Sequence, residues 1–466
     1  MKHIDRYKDK NVLVLGLGTS GISVSILLKK LGANVFSVDD KKNMSNDGIK
    51  KLKKMGIHIS LGPSVNKNIL NDKNISILVK SPGIPYNNFF VSQAIKNGLY
   101  VVSEPEIAYE VSDAKWIGIT GSNGKTTTTT LIQLMLSKSY KKGNVYVDGN
   151  IGIPASDIAL KANKNDIMVT ELSSFQLAGV TKLKPHIAVI TNIYSTHLDY
   201  HGNRNNYISA KMNITKNQDS NDYLVINWDN EEWRKLSKIS KAKIIPFSFN
   251  DITEEGAYFK NNFLYFRDER VIRSNDIKII GNQNIENALA AIAVLKIMKQ
   301  PNSSIIDVLK TFSGVKHRIQ FVANYNGRDF YNDSKSTNLM ATIVALRTFN
   351  RPVILLAGGL DRGNDFDDLI PSLKEHVKAI ILFGQTAKKL ANVAKKAGIK
   401  KIIFTERVKT AVPIAYNLSN KNDVILLSPA CASWDQYPHF EVRGDEFINT
   451  VNNLIKSQEV NNESNI

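Results

Sequence analysis

The chain has 466 residues, 42% hydrophobic and 22% charged, which is long enough for two to four domains, with three favoured, and apolar enough for ordinary cores. Lys and Arg outnumber Asp and Glu by 61 to 43, a net +18, but the lysines are dispersed among Asn and Ile, as in "NKNILNDKNISILVK", which reads as a solvated surface able to attract anionic ligands and excludes a dedicated nucleic-acid interface. The polar start "MKHIDRYKDKN" is unlike a secretory leader, no apolar run reaches the roughly 18 residues of a membrane helix, and a single cysteine, Cys431, excludes an internal disulfide, so a cytoplasmic protein without membrane insertion is expected.

The first segment opens with "NVLVLGLGTSGISVSILLKKLGANVFSVDD". An apolar run over 11–15 meets glycines. An amphipathic stretch with Ile22, Ile26, Leu27 and Leu31 follows, Gly32 stops it, and a second apolar run ends at Asp39-Asp40. The pattern predicts strand, glycine turn, helix, strand. "ISILVK" predicts a further strand, closed by the turn signal "SPGIP". Such alternation implies a parallel sheet that binds its ligand at the strand C-termini. Gly16-x-Gly18-x-x-Gly21, with Asp39 about 20 residues on, has dinucleotide-fingerprint spacing. On these residues alone, NAD(P), another nucleotide and plain tight packing all stay open.

In the second segment "WIGIT" predicts a strand, "TGSNGKT" a phosphate loop, and Thr127 onward a helix. The loop departs from the usual GxxxxGK[ST], because Ile119 takes the place of the first glycine. Its chemistry is kept. Backbone N–H groups can wrap phosphates, Lys125 can reach β/γ oxygens, and the Thr126 hydroxyl can hold Mg²⁺. The bland alternative is a glycine turn with a surface lysine. A phosphate loop needs a metal-holding acid at the end of a buried neighbouring strand, and "DIMVTE" offers Glu171. His197, in "NIYSTHLDYHG", follows another predicted strand; a lone histidine there is more often structural. Lys211 reads as a solvated helix lysine. "GNQNIENALAAIAVLKIM" predicts a long helix.

In the third segment "PVILLAGG", "KAIILFG", "KIIFT" and "DVILLSPA" are short apolar runs, each closed by a turn or polar loop, with helical patterns between. They predict a second doubly wound unit. Cys431 reads as a packing residue. The tail "KSQEVNNESNI" is polar and expected to fray.

Taken together, "TGSNGKT", "ELSSFQL", "TNIYSTHLDYHG", "YISAKMNI", "GNQNIENALAA", "VKHRIQF" and "NDSKSTN" resemble the Mur ligases, which build the peptide stem of bacterial peptidoglycan. The first segment and "LSPACASWDQYPHFEVRGDEF" resemble the D-glutamate-adding branch of that family. The resemblance runs in order along essentially the whole chain. It implies a three-domain α/β protein: a Rossmann-like UDP-binding domain over 1–103, a central P-loop ATPase-like domain over 104–314, and a Rossmann-like amino-acid-binding domain over 315–466. It further implies a monomeric, ATP-dependent amide ligase that joins D-glutamate to UDP-N-acetylmuramoyl-L-alanine through an acyl phosphate. On this reading "GLGTSG" cradles a UDP-sugar's diphosphate and not NAD.

Carried over position by position, the resemblance assigns the UDP-substrate to Gly18, Ser20, Gly21, Asp39, Ser81, Gly83, Asn150 and Ser173. It assigns ATP to Gly121, Ser122, Asn123, Gly124, Lys125, Thr126, Thr127, Asn287, Arg318 and Asp333. Catalysis falls to Lys125, Glu171, His197 and Lys211. Two Mg²⁺ ions fall to Thr126, Glu171, His197 and Lys211, the last as a CO₂-derived carbamate. D-Glutamate falls to Lys335, Thr337, Arg362, Ser433 and Phe440. Gln283 stands where many relatives carry His, and Arg362 where some carry Lys. An NAD(P)-dependent oxidoreductase would leave "TGSNGKT" and "HLDYHG" unexplained, and an ATP-driven nucleic-acid protein finds no motif in the sequence.

Overall fold

The computed structural model describes residues 4–41, 47–194, 198–363 and 365–463. The first sheet contains β1 (Asn11–Leu15), β2 (Asn34–Asp39), β3 (His58–Leu61), β4 (Ile77–Lys80) and β5 (Tyr100–Ser103). Their order is β3-β2-β1-β4-β5, all parallel. Strands covered on both faces read as continuous apolar runs, and Val12, Leu13, Val14 and Leu15 are all buried. Chain order reverses between β1 and β4, and that switch point is where a doubly wound sheet opens a crevice.

The second sheet contains β6 (Lys115–Thr120), β7 (Val145–Gly149), β8 (Ile167–Glu171), β9 (Ile187–Ile190), β10 (Tyr223–Asn227), β11 (Lys243–Ser248), β12 (Ala257–Lys260), β13 (Phe263–Phe266) and β14 (Glu269–Arg273). Their order is β14-β13-β12-β11-β10-β9-β6-β8-β7. Pairing is parallel from β7 to β12 and antiparallel through β13 and β14. The β12–β13 connection is the pair Asn261 and Asn262 at φ 48° and 63°, the left-handed values that a two-residue hairpin turn requires.

The third sheet contains β15 (Gln320–Tyr325), β16 (Arg328–Asn332), β17 (Val353–Gly358), β18 (Val377–Phe383), β19 (Lys401–Phe404) and β20 (Val424–Leu427), in the order β15-β16-β20-β17-β18-β19. Only β15 runs antiparallel to its neighbour. Apolar clusters cover both faces, one around Leu355 and Leu426, the other around Ile354 and Phe447.

The chain forms two compact units. One comprises 1–276 and 283–310 and carries the first two sheets; the other comprises 277–282 and 311–466 and carries the third. The first two sheets share an apolar cluster reaching from Val12 to Met168. Polar ties also join them: Arg6 and Tyr7 both bond Glu110, Ser23 Oγ donates to Asp157 at 2.7 Å, and Tyr86 Oη donates to the Ala178 carbonyl at 2.6 Å.

The C-terminal expectation needs correction. The helix Phe440–Glu463 continues through "KSQEVNNE". Phe447 and Val451 are wholly buried four residues apart, and Leu454 and Ile455 pack partly beneath them, so a docked stripe carries the polar last turns. Among the described residues no helix is long and apolar enough to cross a membrane.

Candidate active site

Each sheet presents its candidate residues on loops that leave the C-terminal ends of neighbouring strands. In the first sheet the glycine loop follows β1. Gly21 permits a close approach, because a Cβ there would overlap the Gly16 carbonyl oxygen. Gly18 precedes the helix Thr19–Lys30 and has open space around it. Asp39, at the end of β2, accepts from Leu17 N at 2.7 Å and from Lys41 N at 3.0 Å, so its carboxylate orders the loop. Ser81, after β4, donates to the Gly16 carbonyl at 3.0 Å. Ser20 is half-buried, and Gly83 has free space where a side chain would stand. A cavity of about 500 Å³ lies at this end, lined by Leu17, Gly18, Thr19, Lys41, Lys51 and Asp157. Lys41 and Lys51 supply positive charge there that sequence reading did not single out.

In the second sheet the loop 121–124 leaves β6, which lies between β9 and β8, and enters the helix Lys125–Ser139. Gly124 has φ 82°, and a Cβ there would meet the Asn287 carboxamide, so glycine is required on both counts. The loop is pinned by its neighbours. Asn123 N donates to Asn192 Oδ1 at 2.8 Å, and Ser122 Oγ lies 2.7 Å from Tyr207 Oη. Thr126 and Thr127 are buried in the first helical turn, where the helix dipole favours an anion. Lys125 Nζ bonds the Gly121 carbonyl at 2.8 Å and the Ser122 carbonyl at 3.0 Å.

Lys211 is only 2% exposed, so the reading from residues alone as a solvated helix lysine is corrected. Its Nζ bonds the same Gly121 carbonyl at 2.7 Å and faces the Tyr207 ring at 4.8 Å. Burial holds its pKa well below the usual lysine value, the nearby Lys125 charge lowers it further, and Glu171 opposes both. Glu171 ends β8 and is 2% exposed. Its Oε1 accepts from Asn150 Nδ2 at 2.8 Å, while Oε2 is enclosed with no hydrogen-bond partner in the structure. An enclosed, unpartnered carboxylate oxygen is a hard donor of the kind that suits a cation such as Mg²⁺. Ser173 caps the helix Ser174–Leu177, and its hydroxyl lies 3.0 Å from Gln176 Oε1. Asn287 is 5% exposed and bonds Thr128 at 3.2 Å. Gln283 lies one turn earlier on the same helix, partly exposed. His197 lies outside the described residues.

In the other unit, β16, β20 and β17 are adjacent. Asp333 follows β16 and is buried. It accepts from Ser428 Oγ at 2.7 Å and from Ile319 N at 3.2 Å, and burial pushes its pKa up to about 6. Arg318 lies between His317 and Ile319, at φ 65° and 41°; a β-branched residue there is strained, as often happens where a functional side chain is being aimed. Lys335 faces the Phe440 ring at 5.7 Å, and Thr337 N donates to the Lys335 carbonyl at 2.9 Å. Arg362 follows β17 and stacks on Trp434 at 4.7 Å. Ser433 is 1% exposed, with its Oγ enclosed and unpartnered. Cys431 is buried and burial pushes its thiol up to about 11, as fits a packing residue.

Arg443 was not singled out by sequence. It is wholly buried and bonds the carbonyls of Ser334 at 2.9 Å, Cys431 at 3.1 Å and Gly358 at 3.4 Å, tying the three loops together. A charge reading hides such a residue, because arginines are usually exposed.

Known proteins resemble this chain along its whole length. Three family profiles match in order: "Mur ligase MurD-like, N-terminal domain" over 10–103, "Mur ligase middle domain" over 119–295, and "Mur ligase, glutamate ligase domain" over 317–431. A UDP-N-acetylmuramoylalanine--D-glutamate ligase of Lactiplantibacillus plantarum is 55% identical over 461 residues, covering 99% of this chain and 100% of that protein. The proteins of the same name from Ligilactobacillus salivarius and Pediococcus pentosaceus are 54% and 55% identical, each covering 98% of this chain and 100% of their own. Among solved structures, UDP-N-acetylmuramate-alanine ligase MurC of Thermotoga maritima aligns over 95% of this chain and 99% of its own, with TM-score 0.60 at 18% identity, a likeness of fold. MurF ligase of Thermotoga maritima, in complex with ADP, aligns over 98% of each chain with TM-score 0.57 at 16% identity. Three successive domain matches and full-length likeness at above half identity make one conclusion: the chain belongs to the Mur ligase family.

Proposed function

We propose that the protein is an ATP-dependent ligase that joins D-glutamate to UDP-N-acetylmuramoyl-L-alanine in cytoplasmic peptidoglycan-precursor synthesis and acts as a monomer. The observation that carries this reading is the full-length likeness, at 55% identity, to a UDP-N-acetylmuramoylalanine--D-glutamate ligase. The loop geometry gives the reading its chemistry.

A free carboxylate does not yield an amide, because oxide is a poor leaving group. The L-alanyl carboxylate oxygen therefore attacks the γ-phosphorus of ATP, forming a C–O–P link as the bond to ADP breaks. The amine of D-glutamate then attacks the acyl carbon, phosphate departs with the C–O electron pair, and the amine loses a proton. The first step joins two anions, so cationic charge must be placed where they meet. Lys125 would turn from its own loop carbonyls to the β/γ-phosphates, which the N–H groups of 121–127 surround. Asn287, Arg318 and Asp333 would hold the rest of the nucleotide. Gly18, Ser20, Gly21, Asp39, Ser81 and Gly83 would hold UDP, with Asn150 and Ser173 towards the muramoyl part.

Thr126, Glu171, His197 and Lys211 would hold two Mg²⁺ ions, whose charge screens the phosphate and carboxylate oxygens. Lys211 suits carbamylation: only an uncharged amine attacks CO₂, burial favours the uncharged amine, and the product is an anion in place of a cation. Arg362, aligned by Trp434, would take one carboxylate of D-glutamate as a bidentate fork, and Ser433 Oγ would give its unused hydrogen bond to the amino acid. Lys335, Thr337 and Phe440 would complete that pocket.

The test is phosphate release from ATP with UDP-N-acetylmuramoyl-L-alanine, comparing D-Glu, L-Glu, L-Lys and meso-diaminopimelate. Turnover with D-Glu alone is expected. Equal turnover with L-Lys or diaminopimelate would overturn the substrate assignment.

A further inference from the structure

Lys80 is the last residue of β4, and none of it reaches solvent. Its ammonium lies 3.1 Å from Tyr200 Oη, 3.4 Å from the Pro82 carbonyl and 3.5 Å from the Ser81 carbonyl. The rings of Tyr86 and Tyr200 face it at 4.9 and 5.8 Å. Among the described residues no carboxylate pairs with it, and burial alone governs its acidity. A buried ammonium with only neutral partners is poor economy for a fold, since a hydrocarbon of the same volume is usually as stable or more so.

Its position accounts for it. Lys80 sits at the switch point, beside β1. The carbonyls it grips belong to the turn that carries Ser81 and Gly83, and Ser81 Oγ in turn bonds the glycine loop at Gly16. On its other side, Tyr200 Oη also donates to the Ile84 carbonyl at 3.1 Å, and its ring meets Phe175 edge-on at 4.6 Å. One ammonium thus ties the 81–84 turn of the first sheet to the helices Ser174–Leu177 and Leu198–His201 beside the second.

We propose that Lys80 is a positioning residue for the UDP-linked substrate: it clamps the 81–84 turn against Tyr200 and holds a positive charge that the substrate's diphosphate neutralises on binding. This rests on the reading of the first sheet as the UDP-substrate site. A charge enclosed by protein is felt by a phosphate some ångströms away more strongly than one in water, so no direct contact is required.

The titratable groups facing Lys80 are Tyr86 and Tyr200. Burial pushes Tyr86 up to about 12 and raises Tyr200 as well, so neither ionises near neutrality. His201, next to Tyr200, sets its Nε2 3.0 Å from Ser174 Oγ. Lys80 itself is lowered to about 8 by burial. An anion bound nearby favours the ammonium, so substrate binding slightly above that pH draws in a proton.

The experiment is calorimetric titration of the full-length protein with UDP-N-acetylmuramoyl-L-alanine at about pH 8.5, in two buffers of different ionisation heat. Wild type is expected to take up a proton on binding, and Lys80→Met to take up none. Lys80→Met should also bind the substrate roughly ten- to a hundredfold more weakly, while its KM for ATP and for D-glutamate stays within about twofold and its Tm is equal or higher. Tyr200→Phe, which keeps the ring and loses the oxygen, should weaken binding less and add nothing in the double variant. Unchanged affinity or unchanged proton uptake in Lys80→Met overturns the assignment, as does a lower Tm with all three substrates affected alike. If Lys80→Met does not fold, unchanged affinity in Tyr200→Phe overturns it instead. Wild type that fails to bind the substrate overturns the functional reading, and this assignment with it; a wild type that binds beside an unaffected variant overturns this assignment alone.

Discussion

Two lysines sharing one carbonyl oxygen behave differently because their surroundings differ. Lys125 opens a helix beside a loop that can exchange its contacts for phosphate, whereas Lys211 is enclosed and held towards its neutral form. Lys125→Ala should lower kcat roughly 10²–10⁴-fold, the loss of about 3–5 kcal/mol of transition-state charge stabilisation. Binding of the UDP-substrate, which uses the first sheet, should survive. Turnover above a tenth of wild type in a phosphate-release assay would remove Lys125 from the site. Lys211→Ala should be nearly inactive for another reason, the loss of the proposed carbamate, which an ammonium cannot replace. Formate or acetate at high concentration fits the vacated space and offers hard oxygen donors, so it should restore part of the activity of Lys211→Ala and none of that of Lys125→Ala. Equal rescue by chloride would reduce the effect to ionic strength.

At the scale of elements, the helix Glu104–Val111, the short helix Ala155–Ala159 and β7 enclose two acids that pair with no cation among the described residues. Glu104 accepts from Ser156 N at 2.6 Å, and Asp148 has both carboxylate oxygens enclosed without partners. Burial raises Glu104 to about 7, with the Asp157 charge adding to the rise, and burial raises Asp148 well above the carboxylate range, with Glu104 opposing its ionisation. The sign follows from linkage. Below the unfolded-state values near 4 both states are protonated and the pair costs nothing; between there and about 7 the unfolded chain ionises first, so stability falls as pH rises. For Glu104 alone the loss is on the order of 3 kcal/mol. Asp148→Asn should therefore raise Tm at pH 8 by several degrees, leave it nearly unchanged at pH 4, and flatten the slope between; a parallel downward shift at both pH values would refute the pairing.

Elements also explain what the sequence let one read. β1, β6, β8 and β9 were legible because strands buried on both faces leave unbroken apolar runs, and the loops after β1 and β6 because close backbone approach admits only glycine at Gly21 and Gly124. The meander β12–β14 was not, because "AYFK", "FLYF" and "ERVIR" are short and half exposed. Burial of Lys80, Lys211 and Arg443 was invisible because Tyr200, the Gly121 carbonyl and the Ser334 carbonyl, which they respectively bond, are distant in sequence and leave no local pattern.

Over the whole molecule the net +18 separates into two populations of charge. Most cations are dispersed at the surface, as in the helix Asp47–Lys54, while Lys80 and Arg443 are enclosed where ions of the solvent cannot screen them. The proposed substrates are anions, so the surface population should act on encounter and the enclosed population on the bound state. The Debye length shrinks from about 10 Å at 0.1 M salt to about 3 Å at 1 M, which quenches the first population and leaves the second nearly intact. Raising NaCl from about 0.05 to 0.5 M should therefore raise the KM for ATP and for UDP-N-acetylmuramoyl-L-alanine roughly three- to tenfold, with kcat within about twofold. Replacing three lysines of the helix Asp47–Lys54 by glutamine should flatten the salt dependence for the UDP-substrate more than for ATP, because that helix lies by the first sheet's cavity, which Lys51 lines. A kcat that falls in step with rising KM would mean that salt reaches the enclosed charges, and the division into steering and holding cations would fail.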